Sequence, residues 1–182
     1  MRALSSLALA LALVCSCSSA PATQHPAPTL DKPVMTGKLT RSVVEQIPGW
    51  TELHAGASAA QIDVDAAKKL ATVPPGAEVT LIIGTWCVDS KREVPRLWQA
   101  LDLAGPVPFA IETMGVDRDK KSPGVEMDVA YVPLVIVRRD GKEVGRIVES
   151  APNGIEKDLL SLLDGTATGI ITGRADGARA SP

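Results

Sequence analysis

The chain has 182 residues, a formal net charge of -2 and only 3 % aromatic residues. That length suits one domain with appendages, and the mixed, near-neutral charge gives no reason to expect a nucleic-acid partner. With so few aromatics, the core must rest on Val, Leu, Ile and Ala.

Arg2 precedes an apolar run over residues 3–14. The run is too short for a membrane-spanning helix of ~20 residues, but it matches the core of an export signal. It ends in Val14-Cys15-Ser16-Cys17, which resembles the lipobox of bacterial lipoproteins. That resemblance implies cleavage after Ser16 and lipidation of Cys17, because Ser16, unlike Val14, is the small residue the motif places before its cysteine. It also implies a place in the cell envelope, anchored to the membrane through lipid. Ser18 after the lipid cysteine implies the outer membrane, facing the periplasm, in a diderm host. Residues 1–16 are therefore expected to be a signal peptide. Residues 17–37, rich in Ser, Ala, Pro and Thr, are expected to form a lipidated, disordered tether.

Residues 38–75 are expected to form a helical extension. Apolar residues at 39, 43, 44 and 47 have helical spacing, and Pro48-Gly49 stops them. Trp50 follows and is expected to pack on the domain. Asp63 or Asp65 can cap a second helix through Ala66, Ala67, Leu70 and Ala71.

Residues 76–163 carry the main pattern. The apolar, β-branched run over 78–84 predicts a buried strand. Apolar residues at 94, 97, 98, 101 and 103 predict an amphipathic helix over 90–103, ended by Gly105-Pro106. A second strand is expected over 107–116, and a polar loop or short helical turn over 117–128. Strands over 134–137 and 143–148 flank Asp140-Gly141, a strong hairpin signal. A last helix spans 155–163, with Asn153 as its expected cap. Residues 164–182 are Gly-, Ala- and Thr-rich and read as a flexible tail. A βαβ start followed by an antiparallel hairpin gives an α/β fold with a mixed central sheet flanked by helices.

Chemistry concentrates in Thr85-Trp86-Cys87-Val88-Asp89-Ser90, between the first strand and the amphipathic helix. A cysteine there meets unsatisfied backbone N–H groups and the positive end of the helix dipole, and both favour thiolate over thiol. The chain has three cysteines, Cys15, Cys17 and Cys87. If Cys17 carries lipid, Cys87 is the one free thiol of the mature chain. The two histidines, His25 and His54, stand far apart, so no metal site and no cofactor are expected.

Strand, Trp86-Cys87-x-x-Ser90 at a helix start, Val132-Pro133 before a later strand, and the Asp140-Gly141 hairpin together resemble the thioredoxin superfamily. The Trp-Cys-x-Asp-Ser site looks like that of a bacterial subgroup within it. The resemblance implies a thioredoxin-like fold, a cis bond before Pro133, and substrate contacts at Trp86, Val132 and Pro133. It implies Cys87 as nucleophile with Ser90 assisting. Two departures matter. Ser90 stands in place of a second cysteine. Leu81, six residues before Cys87, stands where many family members carry a buried carboxylate. A Cys-x-x-Ser site can form a mixed disulfide but needs an external thiol to resolve it. The expected partners are therefore envelope protein thiols or disulfides, or a low-molecular-weight thiol. The alternative is a non-catalytic lipoprotein that binds an envelope partner through the same surface.

Overall fold

The computed structural model describes residues 34–50 and 62–175. The expected signal peptide, Cys17 and most of the expected tether lie outside the described residues, as do residues 51–61 and those beyond 175. The described chain forms an α/β fold, thioredoxin-like, around a six-stranded mixed sheet. Among the described residues, no helix is long and apolar enough to cross a membrane.

In chain order the elements are β1 (Gly37–Leu39), α1 (Arg41–Glu45), α2 (Val64–Lys69) with a 3-10 turn at Leu70–Thr72, and β2 (Ala77–Ile83). Then come α3 (Val88–Ala104), β3 (Ala110–Gly115), β4 (Leu134–Arg139), β5 (Lys142–Val148), α4 (Ile155–Leu163) and β6 (Gly169–Ile171). The sheet order is β1-β3-β2-β4-β5-β6. β2 runs parallel to β3 and antiparallel to β4; β4 and β5 form the hairpin. Asp140 and Gly141 both take positive φ, 52° and 72°, as a tight two-residue hairpin turn requires.

β2 divides its side chains between two cores. Val79, Leu81 and Ile83 face a cluster with Val135, Val137 and Ile147, packed under Val94 and Leu97 of α3 and Leu159 and Leu162 of α4. Ile82 faces the opposite side, with Met114, Val116, Val129, Val132, Leu134, Ile136 and Val148. The helices cover the first face. The second is covered by the 117–133 connection, whose Val125, Met127 and Tyr131 lie on it. Each of the fully buried Leu and Ile side chains of β2 contributes ~1.5–3 kcal/mol by leaving water.

Three expectations are corrected. The helix expected from residue 38 begins at Arg41. Residues 37–39 instead pair antiparallel with β3 as an edge strand, which draws Gly37 out of the expected tether. The expected flexible tail contains β6, which pairs parallel with β5. Asn153 does not cap α4: Gly154, at φ 98°, holds that position. The Asn153 amide groups donate instead to the Asp158 carboxylate, at 3.2 Å from the backbone and 2.9 Å from Nδ2.

The N-terminal extension is tied down by charge as well as packing. Arg41 donates to both oxygens of Asp102 on α3, at 2.6 and 2.9 Å, and to Glu45 at 2.7 Å. The Asp102 hydrogen bond, more than any other contact, holds the guanidinium above its ordinary range. The same guanidinium lies 5.3 Å from the Trp98 ring centre, and Trp98 pairs with Trp50 at 6.0 Å.

Candidate functional site

β2 ends at Ile83, and the chain turns through Gly84 into α3. Gly84 is required there by close approach rather than by φ. A Cβ on it would lie 2.9 Å from the Trp86 ring and 3.2 Å from Cys87 Cβ. The turn is closed by the Cys87 N–H donating to the Gly84 carbonyl at 2.9 Å. Cys87 itself is the N-cap residue of α3, in extended conformation, and its carbonyl accepts the Lys91 N–H at 3.1 Å. The thiol therefore stands at the mouth of a 17-residue helix, partly exposed and free of any disulfide.

The sulfur has a specific neighbour. Cys87 Sγ donates to the Val132 carbonyl at 3.3 Å, and the bond from Val132 to Pro133 is cis. Val132 is buried. Among the described residues its own N–H has no hydrogen-bond partner. A backbone donor without a protein partner is available to an outside acceptor. Here it lies in the residue that already touches the thiol.

Trp86 is half-buried. Its Nε1 donates to the Val116 carbonyl at 3.2 Å, and the Arg118 guanidinium lies 5.6 Å from its ring centre. Val88, the residue after the thiol, is 65 % exposed, an apolar side chain left on the surface beside the sulfur. Asp89 pairs with Arg92 at 2.6 Å, one turn along the helix. Among the described residues, no group of three His, Cys, Asp or Glu side chains could hold a metal ion.

Ser90 is fully buried. Its Oγ accepts the Gly84 N–H at 3.2 Å, and no hydrogen bond joins it to the Cys87 sulfur. The hydroxyl closes the strand-to-helix turn from inside. Leu81 is also fully buried, and it lines the same narrow pocket as Pro133, Glu93 and Glu149. Glu93 is engaged by Arg92 at 2.8 Å, and Glu149 by Arg174 at 2.6 Å.

Cys87, Trp86, Val132 and Pro133 are thus brought together from two distant stretches of chain. Sequence reasoning missed three residues at the rim: Tyr131, Glu149 and Arg174. The Arg174 guanidinium lies 3.9 Å from the Tyr131 ring centre. No local pattern joins residues 131, 149 and 174.

No family model and no curated protein matches the chain. Among solved structures it is similar to the crystal structure of a protein of unknown function from Pseudomonas aeruginosa. The two share 14 % identity at a TM-score of 0.52, over 72 % of this chain and 94 % of that one. Another similar structure is an HIV epitope-scaffold, at 15 % identity and a TM-score of 0.48, over 71 % of this chain and 84 % of that one. At such identity the Pseudomonas likeness shows the fold alone.

Proposed function

We propose that the protein is an envelope thioredoxin-family lipoprotein, anchored through Cys17, that carries out monothiol thiol–disulfide exchange through Cys87. The observation that carries this reading is the pairing of the Cys87 sulfur with the Val132 carbonyl at 3.3 Å, in a residue whose own N–H has no hydrogen-bond partner among the described residues. An extended substrate can offer a carbonyl to that N–H and lay its sulfur against Cys87. Trp86, Val88 and Pro133 supply apolar surface around it.

The chemistry balances without a cofactor. The Cys87 thiolate attacks one sulfur of a substrate disulfide. That S–S bond breaks, a Cys87–substrate disulfide forms, and the departing sulfur takes up a proton. An external thiolate then attacks the mixed disulfide, restores Cys87 and leaves as part of a new disulfide. The second step needs an outside thiol because no second cysteine follows Cys87 on α3. Ser90 contributes by holding the Gly84–Cys87 turn in place. The partners are envelope protein thiols or disulfides, or a low-molecular-weight thiol.

A second reading is a non-catalytic lipoprotein that binds an envelope partner at this surface. Leu81 and Ser90, apolar or occupied where a proton carrier or second thiol would help, favour it.

The test uses the full chain in detergent with glutathione disulfide as probe. Mass spectrometry on the peptide ending at Lys91 should show a glutathione adduct on Cys87, released by added thiol. The Cys87→Ser variant should lose adduct and turnover together. If folded wild-type protein forms no adduct, or if Cys87→Ser exchanges equally well, the binding reading replaces this one.

A further inference from the structure

We propose that residues 172–174 form a strap that positions the 131–133 loop against Cys87, with Arg174 as the positioning residue. The inference rests on the exchange reading above and names what holds that site in register.

The strap begins where β6 ends. Thr172 Oγ1 donates to the Val148 carbonyl at 2.9 Å, and the Gly173 N–H donates to the Ser150 carbonyl at 3.1 Å. The Arg174 N–H closes the bend on Thr172 Oγ1 at 3.2 Å. These bonds carry the chain from the sheet edge across the end of β5 and deliver one guanidinium to two receivers. Nη1 pairs with Glu149 Oε2 at 2.6 Å, and the guanidinium carbon lies 3.9 Å from the Tyr131 ring centre. The ion pair is three-quarters shielded, 24 % and 22 % exposed, so salt screens it less than a surface pair.

Glu149 makes the circuit complete. Its backbone N–H donates to the Pro133 carbonyl at 2.8 Å while its carboxylate holds Arg174. It adopts φ 63°, a left-handed conformation that a non-glycine residue keeps only when its surroundings impose it. The loop is therefore gripped on both sides of Val132. Tyr131 is held by the Arg174 cation over its ring, and Pro133 is held by Glu149. Val132 lies between them and presents its carbonyl to the Cys87 sulfur and its N–H to a substrate. A strand of three residues and one arginine, far down the chain, thus fix the group that faces the thiol.

The experiment uses the full chain with Arg174→Gln, Arg174→Lys and Glu149→Gln. Tyr131 is the only tyrosine, so its ring resonances report the contact without assignment. Two rates are read at Cys87 well below the unfolding temperature: alkylation by iodoacetamide, and exchange with a peptide disulfide. Arg174→Gln should move the ring resonances. It should speed alkylation roughly threefold or more as the sulfur is released, and slow exchange by a similar factor as Val132 loses its register. Arg174→Lys, which keeps the charge, should restore most of both rates. Simple loss of stability would not move the two rates in opposite directions. Glu149→Gln should act in the same sense, and it keeps the test open if Arg174→Gln folds poorly. The strap is overturned if the ring resonances stay in place, or if they move while both Cys87 rates stay at the wild-type level. Failure of the exchange reading looks different: wild-type protein then shows no exchange at all, and the alkylation ratio alone still decides the strap.

Discussion

The Trp50 indole donates to the Thr85 carbonyl at 3.0 Å, two residues before Cys87. The Met35 N–H donates to the hydroxyl of the same threonine at 3.1 Å. Thr85 is fully buried, so the segment before β2, through Met35 and Trp50, holds the hydroxyl and the carbonyl of the residue that leads into the thiol turn. This N-terminal segment is therefore part of the site's support.

Trp50→Phe tests that support. The variant keeps an aromatic ring near Trp98 but leaves the buried Thr85 carbonyl without its indole donor. Losing an intramolecular hydrogen bond costs about 0.5–1.5 kcal/mol, and the smaller ring adds a packing loss, so stability should fall by roughly 2 kcal/mol. Denaturant unfolding measures the loss. Cys87 alkylation in the folded variant should also speed up, because the turn that fixes the sulfur is loosened. A variant as stable as wild type would show that Thr85 is held by other means.

The parts legible in the sequence are those governed by local pattern. The apolar run of β2, the 3.6-residue spacing of α3, the Asp140-Gly141 turn and the limits of α4 need no knowledge of distant residues. The same holds for Cys87 at the start of α3, since strand-to-helix placement follows from two adjacent periodicities. β1 and β6 are different. Each is three residues long and includes glycine, and each exists because a neighbouring strand offers unpaired backbone groups. Asn153 departs from its expected capping role for a related reason: Asp158, a turn further on, takes its amides, and only the folded helix brings that carboxylate back. Likewise Tyr131, Glu149 and Arg174 meet only once β6 has been laid beside β5.

Asp63 gives a pH prediction. Its Oδ1 caps α2 by accepting the Ala66 N–H at 3.0 Å, and its Oδ2 meets Lys157 of α4 at 3.0 Å. The Ala66 amide, and after it Lys157, hold the carboxyl below its ordinary range. Asp63 in turn holds the Lys157 ammonium above its own. A depressed carboxylate stabilises the fold above its unfolded pKa, and that stabilisation disappears as pH falls through the folded value. A raised ammonium stabilises below its unfolded pKa, and its share disappears as pH rises through the folded value. Asp63→Asn retains a good cap but discards the charge. Wild type should therefore melt higher than Asp63→Asn across a plateau from roughly pH 5 to pH 10, with the gap closing on both sides. Melting temperatures across that range check it. A gap unchanged at acid pH would assign the effect to cap geometry rather than charge.

Gly145 decides whether β6 sits where the strap requires. Gly145 pairs with Gly169 across the β5–β6 edge. A Cβ there would run into the Gly169 carbonyl oxygen and would lie 2.6 Å from Leu162 Cδ2 and 2.8 Å from the Gly169 nitrogen. Backbone on one side and a core leucine on the other leave no soft neighbour to yield. Gly145→Ala should therefore push β6 off the sheet, at a cost of about 1–3 kcal/mol typical of overpacking. Displacing β6 carries Arg174 away with it, so the Tyr131 ring resonances should move toward those of Arg174→Gln. Ile170→Ala is the control: that side chain is 47 % exposed, and trimming it leaves the strand pairing untouched. It should leave the Tyr131 resonances in place. If Gly145→Ala lowers stability but the tyrosine signals stay at their wild-type positions, β6 and Arg174 are mechanically separate, and the 131–133 loop keeps its register without them.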